Sequence, residues 1–433
     1  MLSWSLKHLV HPATNSTTGF LTKIGELGRL QWRTRDEINR RILKRLRFVV
    51  SHAYENFRFY HDVLKAANLR PHDIASFDDF RRIPTINKRM MSRHLQQEGV
   101  LKRSHHRLTY TGGTTGRPLA FLTSGDAGFS GMISKLFFDG WIGVAPYEKK
   151  FKISPAEPWF GSWLKDRLFV NELRATFFSV MNDTSMVCNR FLDFKPKLVS
   201  GGTAFRMLAD FMANKAVPVS DWLHGVAVWG MPLLPDQTRT ISKAFCDNIY
   251  DRYGSAELCG SVAQQCHFKT GLHVNTELSF IEVLKGNEPC HEGERGRIVI
   301  TNLRNLATPF IRYEQEDMAV PLDDCPCGRR LPMISEIRGE RKDTSPIQMR
   351  DGIRIPQATL HTFLRTLRES EHVEQFSFSK QSSGELLLII EPRQGFRAES
   401  AERIHAKLSE AIGSLAAVSI KISGGVGDQD DPS

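Results

Sequence analysis

Between residues 38 and 53 the apolar residues Ile38, Ile42, Leu46, Val49 and Ala53 return every three or four positions, with Arg and Lys between them. That spacing predicts an amphipathic helix with one buried face. Tyr54, Phe57 and Tyr60 follow as an aromatic group, read as core packing. Pro84 and residues 85–93 read as a linker and a second helix. From 107 to about 320, short apolar runs alternate with helical patterns. Leu108-Thr109-Tyr110, Leu198-Val199, Val226-Ala227-Val228-Trp229 and Ile249-Tyr250 read as buried strands. Helical stretches lie near 126–138, 204–213 and 235–245. This alternation predicts an α/β architecture with a largely parallel sheet. Phe280-Ile281-Glu282-Val283 and Arg297-Ile298-Val299-Ile300 alternate more and predict an antiparallel pair. After Gly339 the pattern gives a strand at 353–355, a helix at 359–367, strands at 373–378 and 386–390, a helix at 401–412 and a strand at 418–422. That is a compact α+β unit. Residues 424–433, with three Asp, three Gly and a Pro, read as a disordered tail. The expected organisation is a helical part (1–105), a central core (106–339), a small C-terminal domain (340–423) and the tail (424–433).

A chain of 433 residues exceeds one compact core, so more than one domain is expected. The composition, 41% hydrophobic and 24% charged, is ordinary for a soluble globular protein. The longest clear apolar run, Leu386 to Ile390, is strand-sized, so no membrane span is expected. The N-terminus has no sustained apolar stretch with a cleavage site, which points to a cytoplasmic protein. The formal charge of +10 favours anionic partners. Much of it lies between Arg33 and Arg107, as in Arg40-Arg41-Ile42-Leu43-Lys44-Arg45, which reads as a solvated helix face. No nucleic-acid module accompanies it, so no nucleic-acid partner is expected. Seven cysteines, an odd number outside any secreted framework, read as reduced thiols or metal ligands.

Three segments carry candidate chemistry. Tyr110-Thr111-Gly112-Gly113-Thr114-Thr115-Gly116-Arg117-Pro118 follows a predicted strand. Its glycines allow close backbone approach, its threonines add hydroxyls, and consecutive N–H groups suit an anion. It is not a Walker A loop, because no Gly-Lys-Ser/Thr closes it. Tyr253-Gly254-Ser255-Ala256-Glu257 places a ring and a carboxylate after a strand, where they can stack a base and hold magnesium. Pro309-Phe310-Ile311-Arg312-Tyr313-Glu314-Gln315-Glu316-Asp317 ends in a carboxylate that can accept two ribose hydroxyls. Each segment alone also has a plain reading as a turn or a cap.

In this order the three segments resemble the adenylate-forming superfamily of acyl-CoA synthetases and adenylation domains. The nearest resemblance is to the phenylacetate–CoA ligase family with its capsule-biosynthesis-type branch. It runs from about Gln31 to Ile422 and includes Arg82-Ile83-Pro84-Thr85-Ile86-Asn87-Lys88, Ser200-Gly201-Gly202-Thr203 and Gly230-Met231-Pro232-Leu233. It implies an α/β fold with a large N-terminal adenylate-forming domain of mixed sheets and helices. A small mobile α+β C-terminal domain completes it. It implies ATP, Mg2+ and coenzyme A as cofactors and a small-molecule carboxylic acid, aryl or arylacetic by default, as substrate. By the resemblance, Thr111, Gly112, Gly113, Thr114, Thr115 and Gly116 hold the β- and γ-phosphates. Tyr253, with Gly254 and Ser255, lies against adenine in a pocket that includes Gly230. Glu257 binds magnesium, Asp317 holds the ribose, and Arg341 faces the nucleotide beside the pivot Lys342. The acyl acceptor is coenzyme A, with an amine, a hydroxyl or a carrier protein as the alternative. A homodimer is also implied.

Cys266, His273, Cys325 and Cys327 form a further constellation. Cys325-Pro326-Cys327-Gly328 is a tight thiolate hook, and six residues separate Cys266 from His273. Three thiolates and an imidazole suit a closed tetrahedral Zn2+ site of structural type, with His267 as the rival imidazole and reduced cysteines as the alternative. The resemblance supports the pairing. Cys259 reads as a small pocket or core residue. His105 and His106 read as surface histidines with phosphate contact as the alternative, and Trp159, Trp163, Phe177 and Phe178 as aromatic core with an acyl pocket as the alternative. Two features depart from the family pattern near the C-terminus. Gly339-Glu340 stands where Gly-Arg is usual, and Gly424-Gly425-Val426-Gly427-Asp428 replaces the expected Gly-Lys. Losing that lysine keeps open a third reading, a degenerate acyl- or nucleotide-binding protein. Gly230-Met231 stands where many relatives have an acidic residue.

Overall fold

Helices α1 (Thr17–Leu30) and α2 (Arg35–Asn56) come first. The computed structural model describes residues 17–100, 106–111, 119–154, 170–213, 219, 221–230, 233, 235–339, 347–349, 354–355, 357–393 and 395–423. A capping box starts α2: the Thr34 hydroxyl accepts from the Glu37 N–H, and the Glu37 carboxylate accepts from the Thr34 N–H. The foreseen stripe Ile38, Ile42, Leu46, Val49 and Ala53 is buried. Next come α3 (Arg58–Ala66), α4 (Phe77–Arg81) and α5 (Lys88–Gln97). Phe57 and Tyr60 are buried, each adding roughly 2–3 kcal/mol by leaving water. The Tyr60 hydroxyl donates to the Pro309 carbonyl at 2.6 Å.

The stretch read as a linker is tied into the fold. Ile86 bridges Tyr313, its N–H donating to Arg312 O at 2.8 Å and its carbonyl accepting from Glu314 N–H at 3.0 Å. The buried Arg312, at φ +48°, pairs with Glu282 at 3.1 Å and also donates to the Arg81 and Ile83 carbonyls.

Strands β1 (Arg107–Tyr110) and β2 (Ala120–Thr123) form an antiparallel hairpin, not buried parallel strands as the apolar run suggests. Leu108 is 41% exposed. Helix α6 (Gly125–Trp141) follows. A twelve-stranded sheet then takes the order β11-β10-β12-β13-β14-β9-β8-β7-β6-β5-β3-β4. Its strands are β3 (Lys150–Ser154), β4 (Glu172–Thr176), β5 (Leu198–Gly201), β6 (Gly225–Trp229), β7 (Ile249–Ser255) and β8 (Gly260–Gln265). The rest are β9 (Leu272–Val274), β10 (Ser279–Lys285), β11 (Glu288–Pro289), β12 (Gly296–Asn302), β13 (Tyr313–Leu322) and β14 (Met333–Gly339). Only β4, β3, β5, β6 and β7 run parallel, with α7 (Phe177–Asn182), α8 (Thr184–Phe194), α9 (Thr203–Ala213) and α10 (Pro235–Ala244) as connections. The remainder is antiparallel, including the foreseen β10–β12 pair. The mixed α/β class holds.

The C-terminal segment has a short pair, β15 (Ile347–Gln348) with β16 (Arg354–Ile355), then α11 (Gln357–Thr366). A separate sheet follows, β17 (Val373–Lys380), β18 (Leu386–Pro392) and β19 (Val418–Ile422), with α12 (Ala398–Ile412). No described helix is long and apolar enough to cross a membrane.

Two large apolar clusters divide the interior. One joins the N-terminal helices to the antiparallel half, with Leu46, Phe57, Phe80, Ile298 and Phe310 as members. The other joins the parallel strands to the C-terminal unit, with Phe151, Val199 and Phe205 beside Leu360, Phe376 and Leu408.

Candidate functional site: a buried tyrosine–carboxylate pair and a thiolate–imidazole cluster

The first motif sits on the β1–β2 hairpin. Thr111 N–H donates to the Leu119 carbonyl, and Leu119 N–H donates to Thr111 Oγ1, both at 2.9 Å. The Thr111 hydroxyl oxygen, foreseen as a phosphate contact, is therefore engaged in closing the hairpin's base. Gly112, Gly113, Thr114, Thr115 and Gly116 lie outside the described residues. So does Arg341, and so do His105, Trp159 and Trp163. His106 is exposed. Phe177 and Phe178 are buried core rings.

The second motif ends β7. Tyr253, Glu257 and Asp317 are each less than one-tenth exposed. The Tyr253 hydroxyl donates to Asp317 Oδ2 at 2.9 Å. β7 and β13 stand four places apart in the sheet order. At about 4.8 Å per strand a flat sheet would separate them by some 19 Å, so the sheet must curl to bring the two residues together. Asp317 is in register with Gly339, the last residue before 340–346. Gly230, with φ +71°, follows the neighbouring β6. The Ser255 hydroxyl oxygen is buried, with no hydrogen-bond partner among the described protein groups, an orphaned polar atom of the kind a bound ligand satisfies.

Backbone close approaches fix the Glu257 turn. A Cβ on Gly254 would sit 2.1 Å from the Gly260 carbonyl oxygen, and one on Gly131 of α6 would sit 2.1 Å from that of Cys259. Asn302 Nδ2 donates to the Glu257 carbonyl at 2.7 Å. The Glu257 carboxylate faces the Tyr313 phenol, whose pKa is raised by burial first and then by that negative charge. Burial also pushes the Cys259 thiol up to about 11, so it stays protonated. Gly131→Ala is expected to cost about 1–3 kcal/mol by overpacking, while Gly128→Ala on the same helix is neutral or slightly stabilising. No atom lies within 4 Å of a Cβ at Gly128. Thermal unfolding of the two variants checks this pair.

The third assembly lies at the ends of two hairpins. Cys266 follows β8, His273 lies on β9, and Cys325 and Cys327 lie between β13 and β14. Their ligand atoms all fall within 4.8 Å of one another. Cys266 Sγ lies 3.5 Å from Cys325 Sγ, and Cys327 Sγ lies 3.4 Å from His273 Nε2. A tetrahedral site with metal–sulfur bonds of about 2.3 Å has S···S edges of about 3.8 Å and S···N edges of about 3.5 Å, so these separations suit one ion. Burial, then the Arg329 guanidinium, pushes His273 down to about 4, which leaves its ring neutral at pH 7. The rival His267 is exposed and lies tilted against the Phe268 ring instead. The hook also grips the N-terminal helices. Arg329 lies 4.2 Å from the Trp141 ring centroid and donates to Gln31 Oε1 at 2.7 Å.

No family model matches the chain. A phenylacetate–coenzyme A ligase of Pseudomonas putida is 24% identical over 326 residues, covering 71% of this chain and 72% of the relative. The corresponding ligase of Escherichia coli strain K12 is also 24% identical, over 328 residues, with the same coverage. Among solved structures, an open conformation of 2-hydroxyisobutyryl-CoA ligase in complex with 2-HIB-AMP and CoA superposes with a TM-score of 0.63 at 20% identity. It covers 94% of this chain and 92% of that one. The chain is similar to phenylacetate–CoA ligases over most of its length and has the fold of an acyl-CoA ligase.

Within this adenylate-forming fold, the sequence reading missed the group that holds the parts together. Asn302, Asn305 and Thr308 are fully buried. Asn305 accepts from Ser124 N–H at 3.1 Å and donates to the Leu122 carbonyl at 2.9 Å, while Thr308 Oγ1 accepts from Leu122 N–H at 3.1 Å. Asn302 holds the Glu257 turn from the same loop. One loop thus anchors both the β1–β2 hairpin and the Glu257 turn. The available signal is the polar run Thr301-Asn302-Leu303-Arg304-Asn305 placed directly after an apolar strand.

Proposed function

We propose that this chain is an AMP-forming acid–CoA ligase. The substrate carboxylate oxygen attacks the α-phosphorus of ATP, the bond to the β-phosphate oxygen breaks, and pyrophosphate leaves with that oxygen. Coenzyme A thiol then attacks the acyl carbon, and AMP leaves. The observation that carries this is the buried Tyr253–Asp317 pair, assembled from distant strands, with the buried Glu257 in the turn that follows Tyr253. Relatives of this fold hold an acyl-AMP and CoA.

On this reading Asp317 accepts the ribose hydroxyls, and Tyr253 orients that carboxylate while its ring lies along the adenine. Ser255 offers a hydroxyl that no described protein group uses. The backbone N–H groups of 112–116 cradle the β- and γ-phosphates, with Thr114 and Thr115 adding hydroxyls. Gly230 borders the base, and Arg341 faces the nucleotide. Glu257 would hold Mg2+, which would neutralise phosphate charge. Catalysis is positioning and charge neutralisation, with no enzyme nucleophile. Cys266, His273, Cys325 and Cys327 would hold Zn2+ as a structural ion, joining the β8–β9 and β13–β14 hairpins far from the reacting atoms in role. An aryl or arylacetic acid is the first substrate class to test.

Product analysis with ATP, magnesium, coenzyme A and a panel of aryl, arylacetic, fatty and hydroxy acids tests this reading. AMP and acyl-CoA in about equal amounts are expected. ADP as the nucleotide product would overturn it. AMP formed with an acid but no acyl-CoA would move the acceptor to an amine, a hydroxyl or a carrier protein.

A further inference from the structure

Residues 33–107 hold 18 Lys and Arg against eight Asp and Glu, which accounts for the whole net charge of +10. The basic run read as a solvated helix face divides in the fold. Arg40 and Lys44 are exposed on α2, whereas Arg45 is only partly exposed. Arg41 reaches the Glu277 carboxylate through Nε at 3.0 Å and Nη2 at 2.9 Å. Arg304, in the loop after β12, donates to the same carboxylate through Nη2 at 2.7 Å and to the Glu277 carbonyl through Nε at 2.9 Å. Arg41 and Arg304 thus share one carboxylate, and Arg45 stands one helical turn from Arg41 on the same side of α2.

Nothing among the described residues accepts a hydrogen bond from Arg45. Its described contact is the half-exposed Phe48 ring, 6.0 Å from the guanidinium carbon. Burial, then the Arg304 charge, push its pKa down; Glu277 and Asp126 oppose this, and Arg41 adds to the repulsion. Three guanidiniums therefore meet two carboxylates, one of them already shared by Arg41 and Arg304. A partly desolvated cation with no acceptor costs stability, and a bound anion relieves that cost. The start of α6 adds to the field. Asn305, next to Arg304, accepts from the N–H of Ser124, the N-cap of α6, and Asp126 lies in the first turn of that helix. The positive end of α6 thus adjoins the arginines. Guanidinium forks match the tetrahedral oxygens of a phosphate.

We propose that Arg41, Arg45 and Arg304, with the N-terminus of α6, form a further anion site that takes a phosphate group, carried by a soluble phosphate ester or by a phospholipid headgroup. This site does not depend on the ligase reading.

Thermal unfolding in inorganic phosphate, against chloride of equal ionic strength, reads the soluble arm. Phosphate at about 20 mM is expected to raise the midpoint of the unaltered chain by about 2–4 °C more than that of Arg45→Gln. Comparison with the variant removes the general stabilising effect of phosphate as a salt. Without phosphate, Arg45→Gln is expected to unfold at the same temperature or up to about 2 °C higher, because it relieves the repulsion from Arg304. A cation that only braces the fold would give a loss instead. Arg45→Lys should keep about half of the phosphate response. Lys65→Gln, an exposed position of α3 in the same positive segment, should keep all of it. Cosedimentation with phosphatidylglycerol vesicles, against phosphatidylcholine alone, reads the lipid arm. Binding that falls about threefold or more in Arg45→Gln and not in Lys65→Gln would assign a headgroup. A response in the phosphate arm alone would assign a soluble phosphate. Equal losses in Arg45→Gln and Lys65→Gln would overturn the site and leave only net charge. So would an Arg45→Gln chain that behaves in both arms as the unaltered chain does, or one that unfolds several degrees lower without phosphate.

Discussion

Asp317→Ala should lower kcat/KM for ATP by roughly 10- to 150-fold. That is the range for losing one hydrogen bond to a charged group, about 1.5–3 kcal/mol. Asp317 is almost entirely buried, and its described hydrogen-bond partner is Tyr253 at 2.9 Å. A carboxylate has lone pairs beyond the one that Tyr253 uses, so it can also accept from a diol. Removing it takes away the acceptor and leaves the Tyr253 hydroxyl buried. Tyr253→Phe keeps the carboxylate and the ring, so a smaller loss, about threefold to tenfold, is expected. Steady-state pyrophosphate release against ATP concentration separates the two. Equal activity of Asp317→Ala and the unaltered chain would remove Asp317 from the nucleotide site.

Cys325→Ser should reduce bound zinc from about one ion per chain to near zero and lower the unfolding midpoint on the order of 10 °C. The four ligand atoms already lie at separations suited to one ion, and His273 is held neutral. Without the ion, buried thiols are left in contact at the junction of two hairpins. The loss should reach the N-terminal helices too, because Arg329 ties the hook to Gln31 and Trp141. Cys246→Ser supplies the control, since Cys246 lies outside the cluster. Elemental analysis and thermal unfolding of both variants decide the matter. Equal metal content in the two would contradict the zinc assignment.

What the sequence shows and what it hides differ in range. The stripe from Ile38 to Ala53 and the strand Val226 to Trp229 are local patterns, and both stand as the periodicity implies. The Cys and His residues were legible because few residue types bind metals, and folding was then needed only to choose His273 over the exposed His267. The orientation of β1 was not legible. A three-residue apolar run is compatible with parallel or antiparallel pairing, and Leu108 turns out half-exposed. Nor was the anchoring role of Asn305. Its partners lie 181 and 183 residues away, and a buried polar loop reads as an ordinary loop until they are seen. The sharing of one core by the parallel strands and the C-terminal unit is a long-range effect of the same kind.

The most direct test of acid activation is exchange of labelled pyrophosphate into ATP, with magnesium, each acid in turn and no coenzyme A. Exchange reports reversible acyl-adenylate formation without the second step. Acid activation predicts exchange that requires an acid, is lost in Glu257→Gln and is lowered in Asp317→Ala by the factor given above. Measurable ATP binding with no exchange for any acid would contradict it and leave a nucleotide-binding protein.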